Sequence, residues 1–120
     1  MKTLLQLEDI GLAGLAVYLF LALGYAWWLL LVLFLVPDAG IAGYALGPRL
    51  GAVTYNVLHH RGLAVLIFVL GALLGQPLVE AAGLLLLFHA SVDRALGFGL
   101  KYTDSFRSTH LGEIGRETPR

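Results

Sequence analysis

The sequence predicts an all-α protein, an integral membrane bundle of about four transmembrane helices. Of its 120 residues, 58% are hydrophobic and 13% are charged, whereas an ordinary soluble domain has roughly 25% charged residues. A chain this short and this apolar cannot bury enough of its surface to dissolve in water. Its uncharged runs, residues 10–37 and 62–79, are of the size that spans about 30 Å of hydrocarbon.

Charge and cysteine content exclude several kinds of function. Eight basic and eight acidic side chains give a formal net charge of zero, and no stripe of Lys and Arg indicates nucleic acid as a partner. The absence of cysteine excludes disulfides and thiolate chemistry. The N-terminus resembles a signal peptide, but Glu8 and Asp9 interrupt it. We therefore interpret it as a retained first span that has both carboxylates in solvent at its polar end.

The first two helices are separated by a glycine. Residues 4–23 predict a helix of about 30 Å. Gly24 follows, and three of the next four residues are aromatic, which is typical of a membrane–water interface. We expect a turn at Gly24 and a second helix over 26–46, kinked or broken by Pro37. The alternative is one long helix over 10–36, which would reduce the spans to three.

The remaining spans are bounded by Gly and Pro. Gly47-Pro48 predicts a turn and a helix start, so the third helix covers 48–74. Gly75-Gln76-Pro77 precedes the fourth, over 77–100. The bundle thus comprises residues 1–100, and the polar residues 101–120 form a tail. Because four basic residues lie in this tail and none in the opposite loops, we expect a cell inner membrane protein with both termini in the cytoplasm.

Ionisable residues within the apolar spans are the candidate functional residues. A charge at the centre of a bilayer costs about 2.5 to 3.5 kcal/mol and usually has a partner or a wet cavity. The densest group lies in residues 88–101, where His89 and Asp93 are four residues apart on one helix face. Counting about 1.5 Å per residue along each predicted helix brings five side chains to the middle or inner half of the bilayer: Asp38, His59, His60, His89 and Asp93.

These residue types predict a metal or acid–base centre. Imidazole nitrogens and carboxylate oxygens are ordinary zinc ligands, and a bound divalent ion generates a nucleophile from water. The predicted metal ligands are His59 or His60, His89 and Asp93. The predicted catalytic residues are Asp38, as ligand or general base, with His89 and Asp93. Further polar residues expected at or near the site are Arg49, Tyr55, Asn56, Arg94, Lys101 and His110.

Several short motifs resemble a family of small bacterial integral membrane proteins that is classed as a domain of unknown function. They are Pro37-Asp38, Gly43-Tyr44, Gly47-Pro48-Arg49, Tyr55-Asn56, His59, His89, Asp93-Arg94, Gly97-Phe98-Gly99-Leu100-Lys101-Tyr102, Phe106 and Thr109-His110-Leu111-Gly112. The resemblance covers about residues 5–112, and the closing motifs are its most specific part. It implies a multi-helix membrane fold and supplies no activity, substrate or ligand.

Three classes of function remain open from the sequence. The first is a metal-dependent hydrolase or related acid–base enzyme that acts on a lipid or another membrane-borne substrate. The second is a small proton-coupled transporter, expected as a homodimer, in which the aspartates and histidines relay protons. The third is an accessory subunit or a haem or quinone binder of a membrane complex. A buried polar network that only joins helices is the structural alternative to all three.

Overall fold

The protein is built almost entirely from helices, which confirms the predicted all-α class. Its structure, a computed structural model, describes residues 2–98, 100 and 108–113. The helices are α1 (Lys2–Ala22), α2 (Trp28–Val32), a 3₁₀ helix (Val36–Leu46), α3 (Pro48–His59), α4 (Arg61–Leu73) and α5 (Pro77–Ala95). A two-residue antiparallel pair, β1 (Ser108–Thr109) with β2 (Gly112–Glu113), follows them.

The chain turns between α1 and α2 as the sequence predicted. The helix α1 ends at Ala22, and Gly24 adopts a φ of +95°, a conformation that costs little only for glycine. The amide of Gly24 donates to the Leu21 carbonyl at 2.9 Å. The alternative of a single helix over 10–36 is therefore wrong.

The second predicted helix, 26–46, is divided into two. The short α2 ends at Val32, and the 3₁₀ helix begins one residue before Pro37, where a missing backbone donor is tolerated. A 3₁₀ helix of 11 residues is unusually long. It packs closely on α3, because a Cβ at Gly51 would overlap the ring of Tyr44. Asp38 consequently lies in the first turn of a helix that is fixed against α3.

The single helix predicted over 48–74 is corrected to two helices. His60 has extended backbone angles, φ −84° and ψ 116°, and α3 and α4 are bent by 49° at this break. The ring Nδ1 of His60 accepts a hydrogen bond from the Leu63 amide at 3.0 Å. This histidine therefore serves as the N-cap of α4, because its ring satisfies one of the unpaired amides of the first turn.

The helices are those of a membrane protein. Two helical segments, Lys2–Ala22 and Trp28–Leu46, are long and apolar enough to cross a membrane, and α3 with α4 makes a third if the bent pair is one span. The fourth predicted span, α5, carries three charged residues and is not among them. Large apolar side chains lie exposed along these helices, including Leu35 and Leu73, as expected of a surface that contacts lipid.

The long α5 is the helix against which α1 and α4 pack. Buried Phe20, Leu30 and Leu84 form one apolar cluster, and Ala16, Ala64 and Leu87 form another. The approach of α4 to α5 depends on small residues: a Cβ at Gly83 would lie 2.5 Å from the Phe68 nitrogen. Such contacts are common between membrane helices, where close backbone packing replaces the hydrophobic effect.

Two backbone hydrogen bonds close the C-terminus of α5, about one turn after Asp93. The Phe98 amide donates to the Asp93 carbonyl at 2.8 Å, and the Gly97 amide donates to the Arg94 carbonyl at 3.1 Å. Gly97 has a φ of +97°, so these bonds form a Schellman motif. The helix ends at Ala95, five residues before the end that the sequence predicted.

We expect Gly83→Ala to lower the free energy of unfolding by about 1 to 3 kcal/mol, because the added methyl group collides with the backbone of α4. The matched control is Gly14→Ala on α1, where an added Cβ meets nothing within 4 Å. The control should be neutral or stabilising, because Ala is the better helix former. Unfolding in detergent measures both variants, and equal stability would contradict the packing described.

Candidate metal centre

Four ionisable side chains from three helices meet at one point. Asp38 comes from the first turn of the 3₁₀ helix, His59 is the last residue of α3, and His89 and Asp93 lie one turn apart on α5. One ligand atom from each lies within 4.8 Å of all the others. We call these four residues the His/Asp cluster. The structure thus brings together four of the five side chains that the sequence analysis placed in the middle or inner half of the bilayer.

The contacts in the cluster form a closed ring of alternating nitrogen and oxygen atoms. Nε2 of His59 lies 3.2 Å from Oδ1 of Asp38 and 3.3 Å from Oδ2 of Asp93. Nε2 of His89 lies 3.2 Å and 3.0 Å from the same two oxygens. The centre of such a ring is about 2.0 Å from each atom if the ring is tetrahedral and about 2.3 Å if it is flat, and zinc binds nitrogen and oxygen at about 2.0 to 2.2 Å.

A backbone hydrogen bond determines which nitrogen of His59 carries a proton. Nδ1 of His59 lies 2.8 Å from the Tyr55 carbonyl oxygen, which only accepts, so Nδ1 is the donor. A neutral His59 then directs the lone pair of Nε2 at two carboxylate oxygens. This arrangement is repulsive unless a cation occupies the centre or a second proton sits on the ring. The same bond to a carbonyl is typical of histidines that bind metals.

Aromatic rings hold both imidazoles in place. The His59 ring stacks on Tyr55, with centroids 3.8 Å apart and planes 11° apart. The centroid of the His89 ring lies 4.3 Å from that of the Phe34 ring and 4.8 Å from that of the His59 ring. Both imidazoles therefore have their rotation restricted by packing. This is what a preorganised ligand pair requires.

The four side chains of the cluster differ in exposure within the part of the chain that the structure describes. The side chains of His89 and His59 are 0% and 4% exposed, and that of Asp93 is 14% exposed. Asp38 is 31% exposed. Water or a substrate therefore has its access to the cluster beside Asp38.

The remaining predicted site residues lie outside this ligand group. His60 is exposed and caps α4, so of the two neighbouring histidines only His59 joins the cluster. Tyr55 supports His59 with its carbonyl and its ring. Arg49 is exposed, and Asn56 and Arg94 are half-buried. Lys101 and most of the tail over 101–120 lie outside the described residues.

His110 is exposed and bonded to the chain that follows α5. Its Nδ1 accepts from the Leu100 amide at 2.8 Å, and its own amide donates to the Leu100 carbonyl at 2.9 Å. Residues 108–113 are thereby attached to the C-terminal side of α5. His110 is not a member of the ligand group.

The burial of Asp9 differs from what the sequence predicted. Asp9 is 4% exposed, although we expected it in solvent, and Arg61 donates to its Oδ1 at 2.7 Å. The sequence contained a signal for this burial. Asp9 shares the spacing i, i+4, i+7 with Ala13 and Ala16, which face the core of the bundle.

An apolar cleft of about 280 Å³ lies between the end of α1, α2 and the beginning of α5. It is lined by aromatic and aliphatic side chains, among them Leu33 and Leu85. Leu85 precedes His89 by one helical turn on the same face of α5, and Leu33 adjoins Phe34, which contacts the His89 ring. Two residues of the cleft lining therefore neighbour His89 or its ring contact along the chain.

Apolar helices that surround a buried His/Asp cluster define a membrane protein with a candidate metal centre. The chain belongs to the family described as Domain of unknown function (DUF4260), which matches residues 2–114. This confirms the resemblance to a domain of unknown function that the motifs indicated. No curated protein and no solved structure matches the chain.

The tautomer of His59 is a direct test of this geometry. We expect NMR of ¹⁵N-labelled histidine to show a protonated Nδ1 in His59, because that atom donates to the Tyr55 carbonyl. His59→Gln supplies the assignment by removing the signal. A His59 ring protonated on Nε2 alone would contradict the arrangement.

Proposed function

We propose that this protein is a metal-dependent membrane enzyme that hydrolyses a membrane-borne substrate. The observation that carries the proposal is the ring of two imidazole nitrogens and two carboxylate oxygens, whose four contacts measure 3.0 to 3.3 Å. At most one proton on each Nε2 is available for these four contacts. One cation at the centre satisfies all of them at once.

The donor set fits zinc, or another divalent first-row ion such as iron or manganese. Imidazole suits zinc and iron, whereas carboxylate suits harder ions such as manganese. Two carboxylates neutralise the ion's two charges while both imidazoles stay neutral. Charge balance favours a divalent ion here, because an unbalanced charge in an apolar interior is expensive.

The burial of the ligands assigns their roles in the proposed reaction. His59, His89 and Asp93 are the most enclosed and would hold the ion, as the three protein ligands of a catalytic zinc do. The ion would lower the pKa of water, and Asp38, the most exposed of the four, would act as the general base. The water transfers one proton to Asp38 as its oxygen attacks the carbonyl carbon of an ester. The alcohol leaves with that proton, and the products are a carboxylic acid and an alcohol.

The apolar surroundings support a membrane-borne substrate. The cluster lies in a chain whose helices include segments apolar enough to cross a membrane. The apolar cleft is lined by Leu85, which lies one helical turn before His89 on α5. A molecule with an apolar chain gains free energy by burying that chain in such a cleft. Its polar end would then lie at the cluster.

The proposed location is the inner membrane of a bacterial cell, crossed more than once, with both termini in the cytoplasm. The support for this orientation is the excess of Lys and Arg in residues 101–120 over the loops at Gly24 and Gly75.

A proton-coupled transporter is the second candidate, and the same contacts favour it. Two imidazoles and two carboxylates share protons as readily as they share an ion, and Asp38 gives one exposed point of entry. Metal content separates the two candidates.

We expect the protein, purified in detergent without a histidine tag, to retain close to one divalent ion per chain. His89→Ala and Asp93→Ala should each lose most of it, because each removes a ligand. His60→Asn is the matched control and should keep its metal, since it removes an imidazole that lies outside the cluster and Asn still caps α4. Elemental analysis without chelators measures this. A metal-free wild type would overturn the enzyme proposal and favour the transporter.

Hydrolysis should depend on Asp38 more than metal binding does. We expect Asp38→Asn to lower the hydrolysis rate of a long-chain ester by about 10²- to 10⁴-fold, the usual contribution of a general base. The three most enclosed ligands, His59, His89 and Asp93, all remain in this variant, so metal should still be found in it. Arg49→Gln, an exposed change on α3, is the control. Full activity in Asp38→Asn would remove the base from the mechanism.

A further inference from the structure

The two halves of the His/Asp cluster belong to different parts of the bundle. His59 ends α3, whereas His89 and Asp93 lie on α5. The 3.3 Å contact between Nε2 of His59 and Oδ2 of Asp93, and the 4.8 Å between the ring centroids of His59 and His89, are kept only if α3 and α5 keep their separation. Something outside the ligands must fix that separation, because binding sites need their ligands held to within about 0.5 Å.

We infer that the first turns of α1 act as a clamp that joins the ends of the two ligand-bearing regions. Gln6, Asp9 and Arg61 are the positioning residues of this clamp. The consequence for metal binding rests on the proposed metal site, but the clamp itself does not require a metal.

One arm of the clamp is an ion pair between α1 and α4. Nη1 of Arg61 donates to Oδ1 of Asp9 at 2.7 Å, and the two side chains are 25% and 5% exposed. Arg61 is the first residue of α4 and lies two residues after His59, across the break at His60. The ion pair therefore fixes the junction from which His59 projects.

The other arm is a hydrogen bond between α1 and the end of α5. Nε2 of Gln6 donates to the Ala95 carbonyl oxygen at 3.0 Å. Ala95 is the last residue of α5 and lies two residues after Asp93. This bond satisfies a carbonyl of the last turn, which has no partner within the helix.

The two side chains of α1 that form these bonds lie on the same face of the helix. Gln6 and Asp9 are three residues apart and are neighbours on the helix surface. One rigid helix thus bonds to a point two residues after His59 and to a point two residues after Asp93. Any rotation of α1 moves both points together and preserves their separation.

Removal of one partner of the ion pair should disturb the site more than removal of both. Asp9→Asn removes the carboxylate that accepts from Arg61, and Arg61→Gln removes the cation that donates to the buried Asp9 carboxylate. The double variant removes both members of the pair and should recover in part. Glu8→Gln is the matched control, because Glu8 is an exposed carboxylate next to Asp9.

The clamp is tested first without metal. The chain has no cysteine, so a spin-label pair at Val57→Cys and Leu96→Cys, both at exposed positions, reports the distance between α3 and the end of α5. We expect Asp9→Asn and Gln6→Leu to shift or broaden this distance distribution and Glu8→Gln to leave it unchanged. Unchanged distributions in both clamp variants would overturn the clamp. Gln6→Leu keeps the test valid if the ion-pair variants do not fold.

The second measurement is Co²⁺ titration, with its visible absorption spectrum as the readout of ligand geometry. We expect the single ion-pair variants to bind Co²⁺ more weakly than the wild type, by up to about the 10- to 100-fold that follows loss of a hydrogen bond to a metal ligand, with an altered spectrum. A wild type that binds no Co²⁺, together with clamp-dependent distances, would overturn the metal proposal and leave the clamp standing. Wild-type affinity and spectrum in folded clamp variants would overturn the link between clamp and site.

Discussion

Two carboxylates in contact with two imidazoles, inside an apolar bundle, are the constraint on which the rest of this structure depends. Negative charge that is removed from water must be neutralised nearby. Here the oxygens of Asp38 and Asp93 lie 3.0 to 3.3 Å from the nitrogens of His59 and His89. The bond from His59 Nδ1 to the Tyr55 carbonyl leaves Nε2 of that ring available to a cation. The cluster is therefore built to hold positive charge at its centre.

The backbone places three of the four ligands at or beside its irregular points. Asp38 follows Pro37 at the start of the 3₁₀ helix, and His59 directly precedes the break at His60. Asp93 lies in the last turn of α5, before the glycine that ends it. Within a membrane, irregular backbone is tolerated only where protein or a water-filled cavity surrounds it. Three of the irregular points therefore each carry one ligand of the cluster.

The sequence was informative where a local pattern has one physical meaning. The high apolar content predicted the membrane class, and Gly24 beside aromatic rings predicted the first turn. Ionisable residues are conspicuous in apolar spans. Counting the rise along each predicted helix therefore placed Asp38, His89 and Asp93 in the middle or inner half of the bilayer, although the count assumed straight α-helices. What the sequence could not show depends on tertiary packing. The break at His60 comes from an imidazole that caps its own helix, and the bond between Asp9 and Arg61 joins residues 52 positions apart in the chain.

The supporting structure explains why a short chain holds such a site without disulfides. Glycine contacts bring α4 against α5, a ring contact seats the 3₁₀ helix on α3, and α1 bonds to the ends of the others. X-ray absorption at the zinc edge of the zinc-loaded, tag-free protein tests the central claim most directly. Our account predicts nitrogen and oxygen ligands at about 2.0 to 2.2 Å, with scattering from two imidazoles that falls to one in His89→Ala. A zinc shell of oxygen alone, without imidazole scattering, would contradict it.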